Sequence, residues 1–237
     1  MTRDYVTQNL GLVRDEIARA EREAGREGKT LMLAAVKYAD DAELSTLLCA
    51  GVSAVGENRV QQLLAHWPIL EKSEVKVHFI GSLQTNKVKY IIDKVEMIHS
   101  IDSERLADEV ERQAAKRALT VRVLVEINGG REESKSGVLP EQVVPLCRKV
   151  LACPHLELCG FMTMGGRFAS HAEYQAYFES VRELGRAAFA ELGLGKEPIL
   201  SMGMSESFPA AIAAGADIVR VGRRLFAGAA CDTNIEK

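Results

Sequence analysis

Aromatic residues are scarce in this sequence, 5% of its 237 residues with a single tryptophan, and no apolar run approaches the ~20 residues that a bilayer-spanning helix needs. Runs such as Leu31 to Val36 are of the length of a buried strand, and the start Met1-Thr-Arg-Asp has no apolar stretch of the kind a secretory signal carries, so the expectation is a cytoplasmic protein. Neither sign of charge dominates. Thirty Lys and Arg against 33 Asp and Glu give a formal net charge of -3, which supplies no electrostatic footprint for nucleic acid. With only six prolines and no Pro/Gly/Ser-rich tract, the chain shows no linker and no disordered class, and residues 1–237 are expected to form one domain. The five cysteines, Cys49, Cys147, Cys153, Cys159 and Cys231, are an odd set without a Cys-x-x-Cys pair, which argues against a disulfide framework and a zinc site and for reduced, mostly buried thiols.

What the chain does have is alternation. Val6, Leu10, Val13, Ile17 and Ala20 recur at four- and three-residue steps among Arg, Asp and Glu, an amphipathic helix that should end near Gly25. Eight short apolar runs follow: Leu31 to Val36, Val52 to Val55, Val77 to Ile80, Met97 to Ile101, Val121 to Ile127, Leu156 to Met162, Ile199 to Met202 and Ile218 to Val221. Each ends in turn or cap residues and most lead into a helical pattern such as Ser103 to Val110. Strand then helix, eight times over, predicts the α/β class and a (β/α)8 TIM barrel with an extra N-terminal helix. The alternative is an open doubly wound sheet, whose first strand favours a Gly-rich phosphate turn that Val36-Lys37-Tyr38-Ala39 does not supply.

In a barrel, chemistry sits where the strands end. Lys37 closes the first run, at a mouth position where partial burial lowers the pKa of an amine and lets it attack a carbonyl, the beginning of Schiff-base chemistry. A snorkelling or salt-bridged lysine is the plainer reading of that residue alone. After the seventh and eighth runs come Ser201-Met-Gly-Met-Ser205 and Arg220-Val-Gly222-Arg223-Arg-Leu-Phe-Ala-Gly228, where barrel enzymes bind phosphate through loop N–H groups and the start of a short helix. Gly222 would let the backbone approach closely and Ser205 could add a hydroxyl. Alternation in Ile218-Val219-Arg220-Val221 turns Arg220 away from its neighbours, toward the barrel interior, where a guanidinium needs a partner. Asn58 and His78 lie near the ends of the second and third runs and are further candidates for the mouth. The polar segments 131–137 and 82–87 read either as loops over the mouth or as surface turns, with Asn86 and Lys87 in a helical first turn. Met162, Met164, Met202 and Met204 read as barrel packing.

A strand-end lysine together with a phosphate cradle suggests pyridoxal phosphate, and the blocks Gly56-Glu-Asn-Arg-Val60, His78 to Lys87, Glu132-Glu-Ser-Lys-Ser-Gly137, Gly160-Phe-Met-Thr163, Ser201 to Ser205 and Val219-Arg-Val-Gly222 occur in one order along the chain. In this the sequence resembles the pyridoxal phosphate homeostasis family, also called the proline synthase co-transcribed homologues, over essentially its whole length. The resemblance implies a fold-type III barrel like the N-terminal domain of alanine racemase, with the vitamin B6 cofactor as an internal aldimine on Lys37. It implies phosphate contacts from Ser205, Gly222 and Arg223, and Arg220 facing the pyridine nitrogen, which would leave that nitrogen unprotonated and weaken the ring as an electron sink. Val36, Ser207 and Arg223 depart from the family pattern, which has Ser, an acid and a small hydroxyl residue there. At Arg223 a hydroxyl is exchanged for a cation, and Ser207 keeps the capacity to cap a helix.

The function this implies is a non-catalytic carrier and regulator that binds pyridoxal phosphate and passes it to apo-enzymes. A pyridoxal phosphate-dependent amino-acid racemase is the alternative; it needs an acid/base on each face of the substrate carbon, and the chain ends just after its eighth unit. A cofactor-free Schiff-base aldolase acting on a phosphorylated sugar would use the same lysine and phosphate site. A monomer is expected.

Overall fold

Residues 3–132 and 136–228 are described by the computed structural model. The first helix, α1 (Asp4–Glu23), buries the spaced stripe from Val6 to Ala20. It ends at Glu23 and the chain turns at Gly25, whose φ is +63°. Glu21 guides the exit, its carboxylate accepting from the N–H groups of Gly28 at 3.1 Å and Thr30 at 2.6 Å, one residue before the first strand.

Eight units follow: β1 (Leu31–Ala35), α2 (Asp41–Cys49), β2 (Ala54–Glu57), α3 (Val60–Leu70), β3 (Lys76–Phe79), a 3₁₀ turn at Thr85–Tyr90, β4 (Met97–Ile101), α4 (Glu104–Ala115), β5 (Val121–Ile127), α5 (Val143–Leu151), β6 (Leu156–Thr163), α6 (His171–Glu191), β7 (Ile199–Ser201), α7 (Phe208–Ala213), β8 (Ile218–Val221) and α8 (Arg223–Phe226). All neighbouring strands are parallel, and β1 pairs with both β2 and β8, Leu33 lying opposite Arg220, so the sheet closes and has no edge. Closure rules out the open doubly wound alternative. Alternate residues serve two cores: Ala34, Val55, Phe79, Val123 and Val219 pack in the main cluster under the helices, whereas Leu33, Ala35, Ala54, Ile80 and Ile218 form one separate interior cluster and Met97, Leu124, Cys159 and Met162 another.

The largest departure from the sequence pattern is β2, two residues later than the apolar run suggests. Gly56 and Glu57 belong to the strand because of what they meet. A Cβ at Gly56 would stand 2.7 Å from Ile80 Cδ1 and 2.9 Å from Leu33 Cδ2, so a larger residue there would have to displace the ends of both interior side chains. Glu57, fully buried, meets His66 of α3 at 2.6 Å. Burial pushes the Glu57 carboxyl up from its ordinary value, and the hydrogen bond to Glu57 pushes His66 up. Of the methionines, Met162 and Met202 are packed inside, but Met164 and Met204 are exposed. Cys147, Cys153 and Cys159 are buried free thiols and Cys49 is an exposed one; Cys231 lies outside the described residues.

The N-terminal helix is fastened to the far end of the chain. Arg224 of α8 pairs with Glu16 of α1 at 2.5 Å, and Asn9 donates to the carbonyls of Leu225 and Ala227. His66→Ala is expected to destabilise the protein by roughly 3 kcal/mol, because it strands a buried carboxyl. Urea unfolding of the variant measures this, and a loss below about 1 kcal/mol would show that the pair is not what secures α3 to β2.

Candidate functional site

The strands end at a cavity of about 300 Å³ whose lining includes Lys37, Asn58, Ser205, Arg220, Gly222 and Arg223. An adjoining lobe of about 380 Å³ shares Lys37, Asn58, Ile80 and Met164 with it and extends to Arg59, Glu126 and Ser136. Six of the seven sequence-predicted residues therefore meet in one place. His78 does not. His78 lies one residue inside the end of β3, is buried in the barrel, and contacts His99 at 2.9 Å; Ile80, two residues on along the same inward face, takes the mouth position.

Lys37 stands two residues beyond β1, exposed, with Nζ 4.9 Å from the centre of the Tyr38 ring, so the expected partial burial is absent. Asn58 follows β2 directly. Its Oδ1 is buried with no partner among the described residues, and its backbone is pinned by Gly81, where a Cβ would lie 2.0 Å from the Asn58 carbonyl oxygen. Met164 and Met204, read as packing, instead form part of the rim.

Arg220 is the most constrained group in the site. It is 4% exposed, and its Nη1 donates to the Ser201 carbonyl at 2.7 Å and to Ser201 Oγ at 2.8 Å while Nη2 donates to the Thr163 carbonyl at 2.8 Å. No acceptor among the described residues takes Nε–H. Burial brings the guanidinium down to about 10, still a cation at neutral pH. Thr163 is itself fixed, donating its hydroxyl to the Ile127 carbonyl or to Tyr177 OH, at 2.9 and 2.7 Å.

On the other side of the cavity, the N–H groups of Ser205, Gly222 and Arg223 have no protein acceptor among the described residues. Gly222 is pressed against β1, where a Cβ would sit 3.0 Å from the Ala35 carbonyl oxygen and 3.3 Å from Ala35 Cβ. The cation introduced at Arg223 is partly spoken for, since Nη2 lies 2.7 Å from Glu206 and both side chains are exposed. Ser207 precedes α7 but does not cap it with its side chain; its Oγ accepts instead from Met204 N–H at 3.1 Å, closing the loop on itself. In the polar segment after β5, Arg131 pairs with Glu141 at 2.8 Å, and Glu133, Ser134 and Lys135 lie outside the described residues.

His99 and Glu126, both buried, escaped sequence reasoning, and Thr163 and Ser201, also buried, were read only as members of longer blocks and given no role of their own. For His99, Glu126 and Ser201 the signal was present, a polar residue standing at an inward position of an otherwise apolar strand, whereas Thr163 faces α6, where its hydroxyl meets Tyr177. Glu126 lines the adjoining lobe, and burial, reinforced by Asp102 and opposed by Arg220, raises its carboxyl to about 7.

The fold and site define a barrel of the alanine racemase N-terminal class. That family, described as the alanine racemase N-terminal domain, matches residues 9–229. A pyridoxal phosphate homeostasis protein from Aquifex aeolicus is 39% identical over 220 residues, covering 92% of this chain and 96% of its own length. Its counterpart in Escherichia coli K12 is 34% identical over 227 residues, 93% of this chain and 95% of its own. Among solved structures, PipY of Synechococcus elongatus with pyridoxal phosphate bound superposes with a TM-score of 0.82 at 25% identity, covering 94% of this chain and all of that one (100%). The chain belongs to the pyridoxal phosphate homeostasis protein family.

Glu126 supplies a pH test of this geometry. A carboxyl raised from 4.5 to about 7 holds its proton in the folded state, so its stabilising contribution is complete below pH 4.5 and is lost as the pH rises through 7. Glu126→Gln removes this loss: its stability relative to the native protein should improve between pH 5 and pH 8 by up to about 3 kcal/mol in denaturant unfolding. Parallel pH profiles for the two proteins would contradict a buried, protonated Glu126.

Proposed function

We propose that this cavity binds pyridoxal phosphate, and that the protein serves the cofactor's homeostasis as a carrier that limits its free concentration and passes it to apo-enzymes, without dedicated turnover. The observation that carries this is the convergence in one cavity of an exposed strand-end amine, a fixed guanidinium with a spare N–H, and a loop pair with spare backbone donors. These residues suit the group. Lys37 would hold it through a reversible covalent bond from Nζ to the aldehyde carbon. Ser205, Gly222 and Arg223 would receive the phosphate, Gly222 because it alone brings the backbone this close to β1. Arg220 would offer Nε–H to the ring nitrogen, and as a cation it would leave that nitrogen unprotonated. Asn58, with its orphaned Oδ1, would contact the ring from the β2 side. When bound, the cofactor supplies an electrophilic aldehyde and an electron-accepting ring. We take the protein to act in the cytoplasm, as a monomer and as one barrel domain over residues 1–237; among the described residues no helix is long and apolar enough to cross a membrane.

One observation favours the racemase alternative: Glu126 is a second titratable group in the lobe that Lys37 lines. Racemisation of free amino acids by the loaded protein would decide for that reading, and its absence for the carrier. The phospho-sugar aldolase would bind no chromophore.

The experiment is a visible absorption titration with pyridoxal phosphate. The native protein should develop the band of a lysine-bound aldehyde, Lys37→Ala should lack it with the fold intact, and Arg220→Ala should weaken retention by roughly tenfold or more, as loss of a charged hydrogen bond implies. A native-like band in Lys37→Ala would remove Lys37 from the role, and unchanged affinity and spectrum in Arg220→Ala would remove Arg220.

A further inference from the structure

Arg220 is held from below as well as from the mouth. Its Nη1 contact with Ser201 Oγ heads a line of buried side chains on four strands: Ser201 Oγ meets His99 Nδ1 at 3.0 Å, and His99 Nε2 meets His78 Nδ1 at 2.9 Å. The sequence marked His78 as a candidate for the mouth; its place is the foot of this line.

Counting donors and acceptors gives the proton order. A guanidinium only donates, so Ser201 Oγ accepts from Arg220. If His99 Nδ1–H also donated to that oxygen, the Ser201 hydroxyl proton would have no acceptor among the described residues and His78 Nε2 would be a bare buried acceptor. In the opposite order Ser201 donates its hydroxyl to His99 Nδ1, His99 donates Nε2–H to His78 Nδ1, and only His78 Nε2–H is left over. One buried orphan is cheaper than two. This order also points the hydroxyl proton away from the guanidinium. Burial keeps both rings neutral, His78 at about 4 and His99 well below its ordinary value, so each carries one proton to place.

A hydroxyl that donates on one side accepts more strongly on the other, and its rotor is fixed. We propose that His99 is a positioning residue: by taking the Ser201 hydroxyl proton it locks Ser201 as an acceptor for Arg220, and so sets the direction in which Arg220 Nε–H meets the cofactor ring. The ring is the part that rests on the pyridoxal phosphate reading; the proton order is a property of the protein alone.

Two measurements separate these. In the cofactor-free protein, nitrogen NMR of the His99 ring should show Nδ1 unprotonated and Nε2 protonated; a protonated Nδ1 overturns the proposal. In the loaded protein, His99→Leu and Ser201→Ala should each weaken pyridoxal phosphate binding about tenfold and shift the band of the bound cofactor. The double variant should do no more than Ser201→Ala, because the effect passes through Ser201, and His99→Asn, whose Oδ1 can accept the Ser201 hydroxyl, should restore both readouts. If His99→Leu does not fold, Ser201→Ala and His99→Asn carry the comparison. Unchanged affinity and band in Ser201→Ala, beside a native protein that binds, overturn the positioning role. A native protein that binds no pyridoxal phosphate overturns the functional reading instead and leaves the NMR result to judge the proton order.

Discussion

A guanidinium buried inside a parallel barrel is the constraint around which the rest of this site is arranged. Among the described residues Arg220 has no carboxylate within hydrogen-bond distance, so its charge is met by dipoles: two carbonyls and a hydroxyl at the ends of β6 and β7. Such a group is costly to desolvate and strongly directional once satisfied. The acceptors hold both Nη atoms and take three of the five N–H bonds, which leaves Nε–H and the second Nη2–H for a ligand. Thr163 and Ser201 are fixed in turn by Ile127, Tyr177 and His99, so the rigidity of one side chain is distributed over the barrel.

The loops at the mouth follow from the same closeness of packing. Ala35 and Gly222 face each other where β1 meets the exit of β8, and the lack of a side chain at Gly222 brings backbone donors to the cavity edge. The N-terminal helix supports this edge from outside through Glu16 and Asn9, which gives a function to an element that the barrel itself does not require. Lys37, one strand away from Arg220, is exposed, with no hydrogen bond or ion pair among the described residues, and faces a fixed partner.

Much of the architecture was legible in the sequence because parallel strands buried on both faces read as plain apolar runs, and eight of them with helical intervals leave few alternatives. The run at Val52 misplaced β2, since the strand includes Gly56 and Glu57 for reasons of contact rather than hydropathy. Lys37, Ser205, Arg220 and Gly222 were legible as residues just past, or turned inward from, a strand. His78 was taken for a mouth residue because it lies near the end of a short strand; its side chain shares the inward face with Ile80 but sits one layer deeper, against His99. His99 and Glu126 went unnoticed inside apolar runs, where a single polar residue does not disturb the periodicity. The capping capacity read at Ser207 is not used, because its hydroxyl accepts from Met204 N–H and not from the helix it precedes.

The central claim is that Lys37 and the Arg220 cradle together hold pyridoxal phosphate. Borohydride reduction of the loaded protein, followed by peptide mass mapping, tests it most directly. A single pyridoxyl adduct is expected, on the peptide that contains Lys37; an adduct confined to another lysine, or none from a protein saturated with the cofactor, would remove Lys37 from the site.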